Sequence, residues 1–294
     1  MNDSDPKPRF APNQALGIIG GLSLAALVYL AWVSTMQPLP FEPVDWNYLS
    51  SSALNCLVSL AATAAGIQIT RQFRRTENPH RIWLFFTIGM GCWAAGETVV
   101  FLTGMNLLPY PENTSYLDGL WIMGYVLLGL SLYYQFNLLY SSSGKKRTIL
   151  YVFILLAGLL VSGALTNLTH QAGLGQEASW IDDFVAMLYP VFDLTEGIAA
   201  IWLALLFGRG RWSRPWWGLI LFAIADGVDS FYWLGGYDLI PLAVQNVFNF
   251  ISATFSFGGY LVIGFTLLMN YYILHYGPDS GMLKLSRISP PPSE

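Results

Sequence analysis

Residues 189–237 read YPVFDLTEGIAAIWLALLFGRGRWSRPWWGLILFAIADGVDSFYWLGGY. Two apolar runs are joined by a short basic loop, Gly208 to Arg214. At about 1.5 Å of rise per residue, each run is long enough to cross about 30 Å of hydrocarbon. Each also carries two acids three residues apart, Asp193 with Glu196 and Asp226 with Asp229. That spacing puts both acids of a pair on one helix face. Glu97 sits at a comparable depth in an earlier run, and no run contains a Lys or Arg to pair with any of the five. On insertion scales an acid at a helix centre costs roughly 2.5–3.5 kcal/mol, while a Leu or Ile returns about 0.3–0.6 kcal/mol. The fold is therefore expected to turn these acids away from lipid.

The rest of the chain has the same character. Of 294 residues, 54% are hydrophobic and 11% charged, too apolar a balance for a soluble domain of this size. Eight apolar runs lie near 15–36, 50–70, 82–104, 117–140, 148–166, 184–207, 216–236 and 243–273. The fold class expected is an all-α polytopic membrane protein with eight transmembrane helices. It has a disordered cytoplasmic N-terminus (1–14), an eight-helix transmembrane domain (15–274) and a cytoplasmic tail (275–294). The first run is long and no small-residue cleavage site follows it, so it reads as a retained helix. Cys56 and Cys92 both fall in apolar runs and read as packing residues.

Charge gives the orientation. Lys7 and Arg9 precede the first run, and Arg71, Arg74, Arg75 and Arg81 follow the second. Lys145, Lys146 and Arg147 follow the fourth, Arg209, Arg211 and Arg214 the sixth, and Lys284 and Arg287 the eighth. With eight spans every basic residue lies on one side, while Glu42, Asp45, Glu112, Glu177, Asp182, Asp183 and Asp238 lie on the other. The positive-inside rule makes the basic side cytoplasmic, with both termini there. The expected location is the plasma membrane, which in a bacterium is the cell inner membrane.

A weak repeat runs through the chain. At one offset Glu97 falls on Asp229, Gly104 on Gly236, Asn106 on Asp238 and Pro109 on Pro241. A few residues on, Gly124-Tyr125 and Gly129 match Gly259-Tyr260 and Gly264. Both copies run in the same direction, which suggests a parallel four-plus-four duplication.

The segments Pro109-Tyr110-Pro111, Tyr116-Leu117-Asp118, Gly124-Tyr125 and Gly129-Leu130, with Tyr189-Pro190 followed by Asp193, carry a resemblance. Over roughly residues 80–270 the chain resembles the multi-helix membrane sensor modules that precede diguanylate cyclases and histidine kinases in bacteria and archaea. Glu112 and Asn113 depart from that pattern, which usually has a small polar residue after the proline. No output domain follows the eighth run, so the resemblance implies an input module that acts through a membrane or cytoplasmic protein partner.

The candidate ligand- or cation-binding residues are Glu97, Asp193, Glu196, Asp226 and Asp229. The competing reading makes them neutral, hydrogen-bonded packing groups. Trp93, Trp121, Tyr125, Tyr189, Tyr232 and Tyr260 are the candidate aromatic lining; with carboxylates such rings suit an organic cation, and without a ligand they are ordinary core. Gly89-Met90-Gly91 and Gly258-Gly259 read as close-packing positions.

Several activities are argued against. All four Lys lie outside the runs, which excludes a retinal Schiff base. His80, His170 and His275 also lie outside them, against a bis-His haem or a zinc hydrolase. No Ser–His pair shares a depth, and there is no phosphate-binding loop. The chain is therefore expected not to be an enzyme, to hold no metal and to bind no nucleic acid; its cofactors are unknown. The leading functional expectation is a sensor-like or ligand-binding membrane protein. The alternatives are a cation- or proton-coupled transporter and a structural subunit of a membrane complex.

Overall fold

The computed structural model describes residues 12–35, 46–109, 114–139, 144–171, 180–208, 210–233 and 240–276. The extreme termini, Tyr110–Asn113 and Asp238 lie outside the described residues. Within them are eight α-helices and no strands: α1 (Pro12–Thr35), α2 (Trp46–Thr70), α3 (Asn78–Gly104), α4 (Tyr116–Leu139), α5 (Gly144–Gln171), α6 (Trp180–Phe207), α7 (Arg214–Trp233) and α8 (Leu242–Tyr276). A short 3-10 turn, Arg211–Ser213, precedes α7.

Five helical segments are long and apolar enough to cross a membrane: Tyr48–Thr70, Asn78–Gly104, Tyr116–Leu139, Trp180–Phe207 and Ala243–His275. Among the described residues two further apolar stretches are shorter, Ile19–Leu30 of α1 and Tyr151–Ala164 of α5. The 20-residue α7 carries both Asp226 and Asp229. Large apolar side chains nevertheless stay exposed all round the bundle, among them Leu57, Val126, Phe153, Leu160, Leu205 and Trp217. A monomer in water does not leave such a belt open, whereas lipid covers it. The chain is a membrane protein of all-helical fold.

Local sequence sets the helix ends. Ser115 and Asp118 cap α4 reciprocally: the Leu117 N–H donates to Ser115 Oγ at 3.2 Å, and the Ser115 N–H donates to Asp118 Oδ2 at 2.8 Å. After α3, Asn106 takes the left-handed conformation (φ 57°), and its N–H bonds the Thr103 carbonyl. Asn is among the few residues with a side chain that visit that region readily. Gly208 does the same after α6 (φ 55°). Pro190 sits inside α6, where it cannot donate to the Ala186 carbonyl. One residue on, the Met187 carbonyl accepts a hydrogen bond at 2.8 Å from Ser162 of α5.

Six helices close a ring. α2 packs on α3, α3 on α4, α4 on α6, α6 on α7, α7 on α8, and α8 back on α2. α1 lies outside against α8, and α5 outside against α6. Small residues set the seams. A Cβ on Gly89 would meet the Gly124 carbonyl at 3.0 Å, and one on Gly218 would meet the Gly259 carbonyl at 2.8 Å. One end of the ring is basic, with Arg71, Arg74, Arg75, Arg81 and Arg214. There Phe73 of the α2–α3 connection meets Trp212 of the α6–α7 connection, ring centroids 6.4 Å apart. The other end is acidic, and there the Thr114 N–H donates to Asp182 at 3.1 Å.

Candidate functional site

Glu97 of α3, Asp193 and Glu196 of α6, and Asp226 and Asp229 of α7 all face the interior of the ring or its seams. Glu97, Asp193 and Glu196 are buried, with relative exposures of 7%, 3% and 5%, and Asp226 and Asp229 are half-buried. Such groups are rarely left inside apolar surroundings without partners, and here tyrosines supply most of them.

Tyr125 of α4 is the hub. Its hydroxyl bonds Asp193 Oδ1 very closely and lies 2.9 Å from Asp226 Oδ2. A phenol has one hydrogen to give and here faces two carboxyl groups. The second contact therefore needs a proton on one of the two aspartates. Tyr260 of α8 donates to Glu97 Oε1 at 3.1 Å. Ser252 of α8 donates to Asp229 Oδ2 at 2.8 Å. Tyr189 of α6 reaches the acidic end, where it donates to Asp118 Oδ1 at 2.7 Å. Two carboxylate oxygens, Asp193 Oδ2 and Glu196 Oε1, are buried without a hydrogen-bond partner.

Aromatic rings fix the tyrosines. Trp93 meets Tyr125 edge-on at 5.0 Å and 74°, and Phe222 meets Tyr260 edge-on at 4.5 Å and 73°. Trp93 and Phe222 then meet each other across the middle of the ring, at 5.0 Å and 71°. Phe192 stacks on Tyr125 at 5.3 Å. The Trp93 indole N–H donates to the Trp121 carbonyl at 3.1 Å, and the Trp121 ring packs against Gly96 in the α3–α4 seam. Trp93, Tyr125, Phe222 and Tyr260 pack edge to face and Phe192 stacks, as core aromatics do.

The five acids singled out in the sequence thus lie on three helices of one ring. Of the six aromatic residues singled out, Tyr125, Tyr189 and Tyr260 bond carboxyl groups, while Trp93 and Trp121 pack beside them. The side chain of Tyr232 lies outside the described residues. Reasoning from sequence missed Asp118 and Ser252 as partners. Asp118 stood in view, in a Ser-x-x-Asp helix start, but nothing along the chain said that Tyr189 would reach it. Among the described residues no three His, Cys, Asp or Glu side chains converge so as to hold a metal ion.

Comparison with the profiles of known protein families, with curated proteins and with solved structures finds no match.

Proposed function

We propose that this is an eight-helix membrane protein of two parallel halves, α1–α4 and α5–α8, that binds protons on acids shared between the halves. It passes the state of those acids to a protein partner, as a sensor does. Both termini lie in the cytoplasm of a cell whose plasma membrane holds the chain. The observation that carries this reading is a reciprocal pair of hydrogen bonds. Tyr125 of the first half holds Asp226 of the second, and Tyr260 of the second half holds Glu97 of the first.

The duplication is supported by the seams as well. Gly89 lies against Gly124 as Gly218 lies against Gly259, and Trp93 lies against Tyr125 as Phe222 lies against Tyr260. These contacts favour pairing Glu97 with Asp226, three residues from the offset that pairs Glu97 with Asp229. Three residues is nearly one helical turn, so the slip keeps the same face and is hard to see in sequence. Spanning by α7 is supported by its two aspartates meeting Tyr125 and Ser252 in the bundle, while Trp217 and Ile224 are exposed. The arrangement of basic residues supports the orientation.

A proton is the ligand best suited to this interior. It needs no cavity, it neutralises acids that have no Lys or Arg beside them among the described residues, and the shared Tyr125 hydroxyl already calls for one. The chain in lipid nanodiscs tests this, because Trp93 touches both Tyr125 and Phe222 and so reports on the site. Its fluorescence is expected to change reversibly with pH in the wild type and to lose that change in Asp226→Asn. A flat titration would rule the reading out. The acids straddle two halves that could move against each other, which favours a second reading, a proton-coupled carrier. Proteoliposomes holding a pH dye separate the two: a carrier dissipates a pH gradient, and a sensor does not.

A further inference from the structure

We infer that the buried acids exchange protons with the acidic end of the bundle alone, by a route whose outermost members are Asp118 and Tyr189. This rests on the proton-binding reading above.

At the acidic end, Asp118 is partly exposed and accepts the Tyr189 hydroxyl at 2.7 Å. The Tyr189 ring lies edge-on to Tyr125 at 6.1 Å, and Tyr125 holds both Asp193 and Asp226. Tyr189 and Asp193 are one turn apart on the same face of α6. A carboxyl, two phenols and two carboxyls therefore run from a partly exposed position to a buried one. Asp193 Oδ2 and Glu196 Oε1, buried and without partners, stand at the inner end, where an arriving proton finds free acceptors.

The other acids and the phenol of the packed helices at this depth are Asp229 on α7, Glu97 on α3 and Tyr260 on α8. Asp182 of α6 lies at the acidic end, and His80 and Arg81 of α3, Arg214 of α7 and His275 of α8 lie at the basic end, beyond the closed layer. α5 meets this part of α6 with Gly158 and Ser162, which do not titrate.

Towards the basic end the interior is closed. Phe86, Leu128, Leu203, Trp216, Ile263 and Leu267 have no exposed surface. Trp83 stacks on Trp216 at 6.1 Å, and Phe86 meets Trp216 edge-on at 5.7 Å. The buried polar side chains described on α4 and α8 from that layer towards the basic end, Ser131, Gln135, Thr266 and Asn270, are hydroxyls and amides and take up no proton near neutral pH.

The test uses the full chain in sealed vesicles of known orientation, with protons as the probe and tryptophan fluorescence after a rapid pH jump on one side as the readout. A jump at the acidic end is expected to give the wild-type response, and a jump at the basic end none before the vesicles leak. Asp118→Asn and Tyr189→Phe are each expected to slow the response by about tenfold or more, the scale on which a positioned proton-transfer group acts. Ser115→Ala removes the α4 cap but keeps the Asp118 carboxyl, and is expected not to slow it. Equal responses from both sides, or unchanged rates in Tyr189→Phe, would overturn the route even if the wild type binds protons. Slowing by Ser115→Ala equal to that of Asp118→Asn would reduce Asp118 to a helix cap and also overturn it. A wild type that gives no response at equilibrium removes the proton-binding reading instead, and the route with it.

Discussion

One hydroxyl holds the centre of this molecule. Tyr125 bonds two carboxyl groups from two different helices, whereas Tyr260 bonds one. Removing a buried hydroxyl leaves each of its partners unsatisfied, at about 1–3 kcal/mol. Tyr125→Phe, with two partners, is therefore expected to destabilise the detergent-solubilised protein by about 2–6 kcal/mol. Tyr260→Phe, with one, should cost about 1–3 kcal/mol. Thermal unfolding followed by circular dichroism measures both, and the order of the two is the informative result. At this scale the sequence was legible in part. The five acids stood out because acids in apolar runs are costly and no base lay near them. Tyr125 and Tyr260 were visible as candidates but not as partners of particular acids, because each bond joins residues far apart in the chain. Asp118 stood in the sequence only as part of the resemblance, since spacing along α4 says nothing about the reach of Tyr189.

The elements are joined where glycine lets two helices touch. A Cβ at Gly124 would collide with the Trp93 ring, and one at Gly259 would lie 2.8 Å from the Phe222 ring. Neither ring is free to move, since each is wedged against a tyrosine and against the other. Gly124→Ala is expected to cost about 1–3 kcal/mol through overpacking, with Gly259→Ala somewhat milder. Gly119 lies on the same helix as Gly124, and a Cβ there would meet nothing within 4 Å, so it is the control. Gly119→Ala should change stability by no more than about 0.5 kcal/mol. Thermal melts of the three variants side by side check this. Helix positions were legible from apolar run length, and all eight runs correspond to helices. In α7 the two aspartates meet Tyr125 and Ser252, contacts that hydropathy summed along a chain does not register.

At the scale of the whole molecule, six helices form a ring with related contacts on opposite sides of it. Gly124-Tyr125 and Gly259-Tyr260, matched in sequence, also pack alike, each glycine against an aromatic ring that lies edge-on to the tyrosine. The pairing of α3 with α7 was harder to read, because two acids three residues apart on α7 offer the same face to Glu97. The ring brings Glu97, Asp193, Glu196, Asp226 and Asp229 of α3, α6 and α7 into one enclosed layer, and the proposed function rests on protons being held there. Infrared difference spectra of the membrane-embedded protein, recorded between acidic and alkaline pH, look at those protons directly. The expected result is a carbonyl-stretch band of protonated carboxyl groups that weakens in Asp193→Asn and in Asp226→Asn and shifts in frequency in Tyr125→Phe. A spectrum without such a band, or one that these three changes leave untouched, would contradict it.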